Sequence, residues 1–90
     1  MQYMVAFVNL HGQRLALVEV VRGSVPDEQH YQQAAERLAK APELAGCEVV
    51  LAVPPDGQFV AGFRTTPDVQ LALMKIGWLR LGFQPTELTV

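Results

Sequence analysis

Residues 68–83 read DVQLALMKIGWLRLGF, and the way this stretch coils decides the rest of the fold. Wound as one helix at 100° per residue, its apolar side chains fall into two arcs on opposite sides. Ala72, Ile76, Leu79 and Phe83 form one arc, continued by Val69 and Leu73. Leu71, Met74, Trp78 and Leu81 form the other. Gln70 with Gly77 and Lys75 with Gly82 mark the seams, and Arg80 intrudes on the first arc. A surface helix of a small domain needs a single apolar stripe, so a helix apolar on two sides has to be covered on two sides. Leu71, Met74, Trp78 and Leu81 could pack on the chain's other helix within the monomer, but the apolar second face of the sheet favours an interface carried by these four, with Trp78 as a desolvated anchor and Met74 as an adaptable contact.

Outward from this helix, the chain divides into strands, turns and one more helix. Residues 3–10, YMVAFVNL, and 15–21, LALVEVV, are rich in β-branched and aromatic residues, and His11-Gly12-Gln13 between them reads as a hairpin turn. Ser24-Val25-Pro26-Asp27 has the makings of a helix start, with Ser as cap and Pro in the first turn. Tyr31, Ala34, Ala35, Leu38 and Ala41 then share one face, Glu28, Gln32, Gln33, Glu36, Arg37 and Lys40 cover the rest, and Pro42 stops the helix. Residues 47–53, CEVVLAV, give a third strand and 58–63, QFVAGF, a fourth, joined by Pro54-Pro55-Asp56-Gly57. Thr65-Thr66-Pro67-Asp68 opens the second helix, and the tail QPTELTV reads as extended.

The order is thus ββαββα. Hairpins imply antiparallel pairing, so the expected fold is α+β: a two-layer sandwich with a four-stranded antiparallel sheet and two helices on one face. The halves 1–45 and 46–90 also echo one another. His11-Gly12-Gln13 reappears as Asp56-Gly57-Gln58, Ser24-Val25-Pro26-Asp27 as Thr65-Thr66-Pro67-Asp68, and Pro42-Glu43-Leu44 as Pro85-Thr86-Glu87-Leu88, in the same order. This pattern points to a tandem ββα duplication, although turns and caps reuse such residues in unrelated chains. The strands add a further expectation. Tyr3, Val5 and Phe7 face one way and Met4, Ala6, Val8 and Leu10 the other, and the second strand repeats the pattern with only Glu19 interrupting it. A sheet apolar on both faces, with both helices on one of them, calls for a partner subunit on the other.

Composition bounds the function. Ninety residues make one domain, 1–90, in which half the residues are hydrophobic and 18% are charged. That is more apolar surface than so short a chain readily hides, and it favours a homodimer. The net charge of −2 and the scattered Lys and Arg residues argue against a phosphate-backbone binder. A nucleic-acid surface built from Tyr3, Phe7, Phe59 and Phe63 is disfavoured on the same ground. Cys47 is the only cysteine, which excludes an intrachain disulfide, and with His11 and His30 alone it cannot complete a structural zinc site. Glu48 beside it is the wrong charge to activate a nucleophilic thiolate, so Cys47 reads as structural. The start MQYMVAFVNL lacks the basic residues and cleavage site of a signal peptide, and residues 68–83 are too short to cross a bilayer, so a cytoplasmic setting is expected.

No catalytic, cofactor or metal signature emerges. His11 and Asp56 occupy equivalent turns and could pair for acid–base work if those turns converged, though Asp-Gly is ordinary turn chemistry. Arg64-Thr65-Thr66 before a helix could hold an anion, but the glycines of a phosphate loop are absent and helix capping accounts for the two threonines. The sequence therefore favours a non-enzymatic interaction or regulatory module acting as a homodimer. The alternative is a small-molecule or catalytic site at the hairpin ends, using His11, Arg14, Asp56 and Arg64.

Overall fold

His11 and Gly12 both adopt positive φ, 52° and 78°. This is the signature of a two-residue turn whose twist matches that of the flanking strands, and it joins β1 (Gln2–Leu10) to β2 (Gln13–Glu19) with Leu10 opposite Gln13. The structure, a computed structural model, describes residues 1–24 and 27–90. The chain continues through α1 (Glu28–Ala39), a 3₁₀ turn at Pro42–Leu44 and β3 (Glu48–Val53). It ends with β4 (Gly62–Phe63), α2 (Pro67–Ile76), a second 3₁₀ turn at Trp78–Leu81 and β5 (Gln84–Glu87).

The helix start differs from the sequence expectation. Asp27, not Ser24, caps α1, accepting a hydrogen bond from the backbone N–H of His30, while the Ser24 hydroxyl donates to the carbonyl of Val21 at 2.6 Å. The assignment of Pro26 to the first turn lies outside the described residues. Pro42 ends the helix as expected and opens the 3₁₀ turn.

The sheet is five-stranded and mixed, in the order β4-β3-β2-β1-β5. This corrects the expected four-stranded antiparallel sheet in two ways. First, β2 and β3 run parallel, Leu15 beside Glu48 and Glu19 beside Ala52, because α1 carries the chain back to the starting end before β3 begins. Second, the tail forms β5, antiparallel to the outer side of β1, with Gln2 opposite Glu87 and Val5 opposite Gln84. The expected fourth strand over 58–63 shrinks to Gly62–Phe63, preceded by a single bridge between Asp56 and Phe59.

The two helices lie on opposite faces, not on one. Val5, Ala16, Val18 and Leu51 point to one side, where they pack with Leu38 of α1, with Leu44 and with Leu88. Ala6, Leu15, Leu17, Val50 and Ala52 point to the other, where they pack with Leu73 of α2, with Leu81 and with Phe63. Alternate residues of a strand face opposite ways, so these two clusters are the two faces of one sheet, and the architecture has three layers, helix–sheet–helix. The apolar character of both sheet faces is thereby accounted for, and covering the second face requires no partner subunit.

The second helix also ends early. The stretch 68–83 does not run as one helix: Gly77 takes φ 92° and ψ 142°, a backbone region that essentially only glycine occupies, and α2 stops at Ile76. The break re-aims the residues after it. Leu81 enters the same core as Leu73, and Trp78 stacks on Phe83 with ring centroids 4.4 Å apart. Leu73 of one arc and Leu81 of the other thus share one core, because the chain changes direction between them.

Candidate functional site

With Trp78 and Leu81 turned inward, the outer surface of α2 is left with Pro67, Asp68, Leu71, Met74 and Lys75, all exposed. Two of these are large and apolar: Leu71 is 56% exposed and Met74 is 41% exposed. The opposite arc of the helix, centred on Leu73, is the part held by the sheet. Beside α2 runs the loop leading into β4, whose Val60 is 70% exposed. Loop and helix enclose a shallow apolar groove of about 280 Å³, lined by Pro55, Val60, Ala61, Phe63, Leu73, Met74 and Trp78. None of these side chains bears a charge. The four residues expected at an interface therefore separate: Leu71 and Met74 lie on the surface, Trp78 sits half-buried at the groove wall, and Leu81 belongs to the core.

Arg22, which stands in no recognisable motif, sets the shape of this loop. Its Nη2 donates to the carbonyls of Pro54 at 3.2 Å and Val60 at 3.0 Å, and its guanidinium lies 4.9 Å from the centroid of the Phe59 ring. One cation thus satisfies two loop carbonyls and covers an aromatic ring that would otherwise be more exposed. The sequence signal is faint, a lone arginine after a strand.

The residues expected at a ligand or acid–base site are not brought together. His11 lies at the tip of the β1–β2 hairpin, and Asp56 follows the carboxyl end of β3. Because β2 and β3 are parallel, that tip and Asp56 are at opposite ends of the sheet, separated by roughly 20 Å of strand. The acid–base pairing of His11 with Asp56 is therefore ruled out by the register. Arg14 stands near the hairpin tip, its guanidinium 5.1 Å from the ring centroid of Phe7 on the neighbouring strand. Arg64 is at the β4 edge, where its backbone N–H donates to Leu51. Its guanidinium lies over Tyr31, 4.4 Å from the ring centroid, and pairs with Glu28, so it ties β4 to α1. The aromatics Tyr3, Phe7, Phe59 and Phe63 do not share a surface either: Tyr3 packs with the α1 core, Phe7 points to the same face, Phe59 lies under Arg22 and Phe63 is in the α2 core. Cys47 is half-buried against the α1 core.

The carboxylates of Asp27 and Glu43 are shifted, and both serve architecture. The Asp27 carboxyl is held below its ordinary value by the side chain of His30, whose Nδ1 lies 2.7 Å away, and next by the His30 backbone N–H. The Glu43 carboxyl is held down by the Thr89 backbone N–H at 3.0 Å and then by the Thr89 hydroxyl at 2.8 Å, a contact that fastens the chain after β5 to the 3₁₀ turn following α1.

A larger hollow lies elsewhere. Glu19, Val20, Val21, Arg22, Pro54, Pro55 and Asp56 line a cleft of about 430 Å³ at the carboxyl ends of β2 and β3. Among the described residues, no group of three or more His, Cys, Asp and Glu side chains could hold a metal ion, and no helix is long and apolar enough to cross a membrane. Comparison with family models, with curated proteins and with solved structures found no match to this chain.

Proposed function

We propose that this protein is a small non-enzymatic interaction module that acts as a homodimer through the outer face of α2 and the adjoining loop. The observation that carries this reading is the contrast between the two helices. The outside of α1 is polar, as the cover of a monomer should be, whereas the outside of α2 presents Leu71 and Met74 beside an uncharged groove. Helix and groove belong to the same stretch of chain, so a twofold axis brings the patch of one copy onto the same patch of another, the ordinary geometry of a homodimer. Sedimentation equilibrium tests it: the protein sediments as a dimer at micromolar concentration, and Leu71→Asp converts it to a folded monomer. A wild-type monomer at those concentrations overturns the reading.

The internal duplication is part of the same proposal. Mapping β1β2α1 onto β3β4α2 reverses strand direction, keeps the sideways order and exchanges the sheet faces. This is a half-turn about an axis in the sheet plane, across the strands, combined with a shift of two strands. Both the parallel β2–β3 contact and the placement of the helices on opposite faces agree with it. The same operation sends equivalent turns to opposite ends of the sheet, in keeping with the separation of His11 from Asp56.

A second reading, a small-molecule site, has one observation in its favour. The chain leaves β2 toward α1 and leaves β3 into the loop that leads to β4, and the cleft with Glu19, Arg22 and Asp56 opens between these exits, at the carboxyl ends of two parallel neighbours, where such sheets commonly bind ligands. Of the four residues expected at such a site, only Asp56 is there. Amide shifts of Val20, Val21 and Asp56 on titration with small amines and carboxylates support this reading, and unmoved signals refute it.

A further inference from the structure

The outer face of α2 carries more than apolar surface. Asp68 and Lys75 are seven residues apart, two turns of helix, and at 100° per residue they point in nearly the same direction, to one side of Leu71 with Met74 to the other. Both are exposed, and neither belongs to the ion pairs formed among the described residues. On an unbroken helical wheel Lys75 marks only a seam between two apolar arcs. In the folded chain, the exposed face reads acid, leucine, methionine, base along the helix axis.

Such a face is complementary to itself when reversed. Laid antiparallel on a second copy about a twofold axis beside Leu71 and Ala72, the helix places Asp68 against Lys75 of the other copy, and the symmetry repeats the contact at the far end. Leu71 and Met74 of both copies fall between the two charge pairs. A parallel alignment would instead set acid against acid and base against base. We infer that two copies of this chain associate through antiparallel α2 helices, with Asp68 of each paired to Lys75 of the other. This rests on the homodimer reading above and adds its orientation and register.

The charges contribute selectivity more than affinity. Exposed pairs are individually weak, whereas like charges set face to face penalise the wrong alignment, so the pair selects one of several registers that the apolar side chains alone would accept. Short helices with a two-residue apolar centre need such a device. One turn of slippage would still bury Leu71 against Met74, and only the charges distinguish it from the proposed register.

The experiment exploits the symmetry. Asp68→Lys leaves two bases on each α2, and Lys75→Glu leaves two acids. Sedimentation equilibrium at about 0.1 M salt should show each variant dimerising at least about tenfold more weakly than the wild type. An equimolar mixture of the two should recover wild-type association, because every contact across the axis then joins a base to an acid. Leu71→Asp runs beside them as the measure of the surface itself. If Leu71→Asp dissociates the dimer while the charge variants associate normally, the register is overturned and the homodimer reading stands. If the wild type is itself monomeric, both fall. Far-ultraviolet dichroism of each variant confirms folding, which exposed substitutions on this face should leave intact.

Discussion

The two faces of the central sheet carry similar cores under different roofs. On one side, Leu38 of α1 is fully buried against Val18 and Leu51; on the other, Leu73 of α2 is fully buried against Leu17 and Val50. The inner surfaces are therefore alike, built from alternate side chains of the same strands. The outer surfaces are not. Gln32, Gln33, Glu36 and Arg37 meet solvent on α1, whereas Leu71 and Met74 meet it on α2, and Leu79 in the 3₁₀ turn beyond is 94% exposed. One helix is finished with a polar surface and the other keeps an apolar patch in solvent. A sheet apolar on both sides says that each face is covered, and says nothing about what the outside of each cover will meet.

The largest effects should come where the faces are alike. Leu38→Ala and Leu73→Ala each remove a fully buried side chain and should each cost about 3 kcal/mol in urea unfolding, with a single transition in both variants. Two separate transitions in either would break the equivalence and show that one layer unfolds without the other. The next effect belongs to α2 alone. Gly77→Ala forces a side chain into a conformation that disfavours it, with open space around the new Cβ, so its cost of about 2 kcal/mol is strain and not a clash. An unchanged stability would mean that the break after Ile76 is not required by the packing of Trp78 and Leu81.

The smallest effect is a pH dependence on the α1 side. Asp27 and Glu43 both have carboxyl groups held below their ordinary values, so each contributes stability that is fully present above its unfolded pKa and is lost as the pH falls through its lower folded pKa. The loss should therefore appear below about pH 4. The residue before α2 is Thr66, whose side chain makes no capping hydrogen bond, so that helix start should lack this acid response. Amide exchange between pH 5 and pH 3 should show the first turn of α1 losing protection before that of α2, and Asp27→Asn should remove the difference.

What the sequence revealed was mostly local. Residues close together in the chain declared the β1–β2 hairpin at His11-Gly12, the amphipathic pattern of α1 and its stop at Pro42. The relation between distant parts was not legible in the same way. Nothing in residues 47–53 states that this strand runs beside 15–19 in parallel, and the polar QPTE segment with Pro85 does not advertise a strand; it suits an edge, where the missing N–H costs no central ladder bond. The candidate interface shows the same limit. Leu71 and Met74 stand out because the helical wheel is sound as far as Ile76. Trp78 and Leu81 are misplaced by a wheel carried through Gly77, a residue that the sequence does supply and that acts as a hinge point instead of a seam.

The pairing of β5 with β1 has a consequence for how this chain is made. The Met1 amine donates to Glu87, 86 positions later, and to the carbonyl of Leu88, while the Leu88 N–H donates back to Met1. During synthesis the β1–β2 hairpin can form once residues 13–19 have emerged, but the outer rim of β1 stays open until residues 84–87 follow. Closing so long a loop slows folding more than it weakens the finished protein. In that interval, two neighbouring nascent chains could join rim to rim, and the polar, proline-bearing strand that finally seals the gap ends the danger.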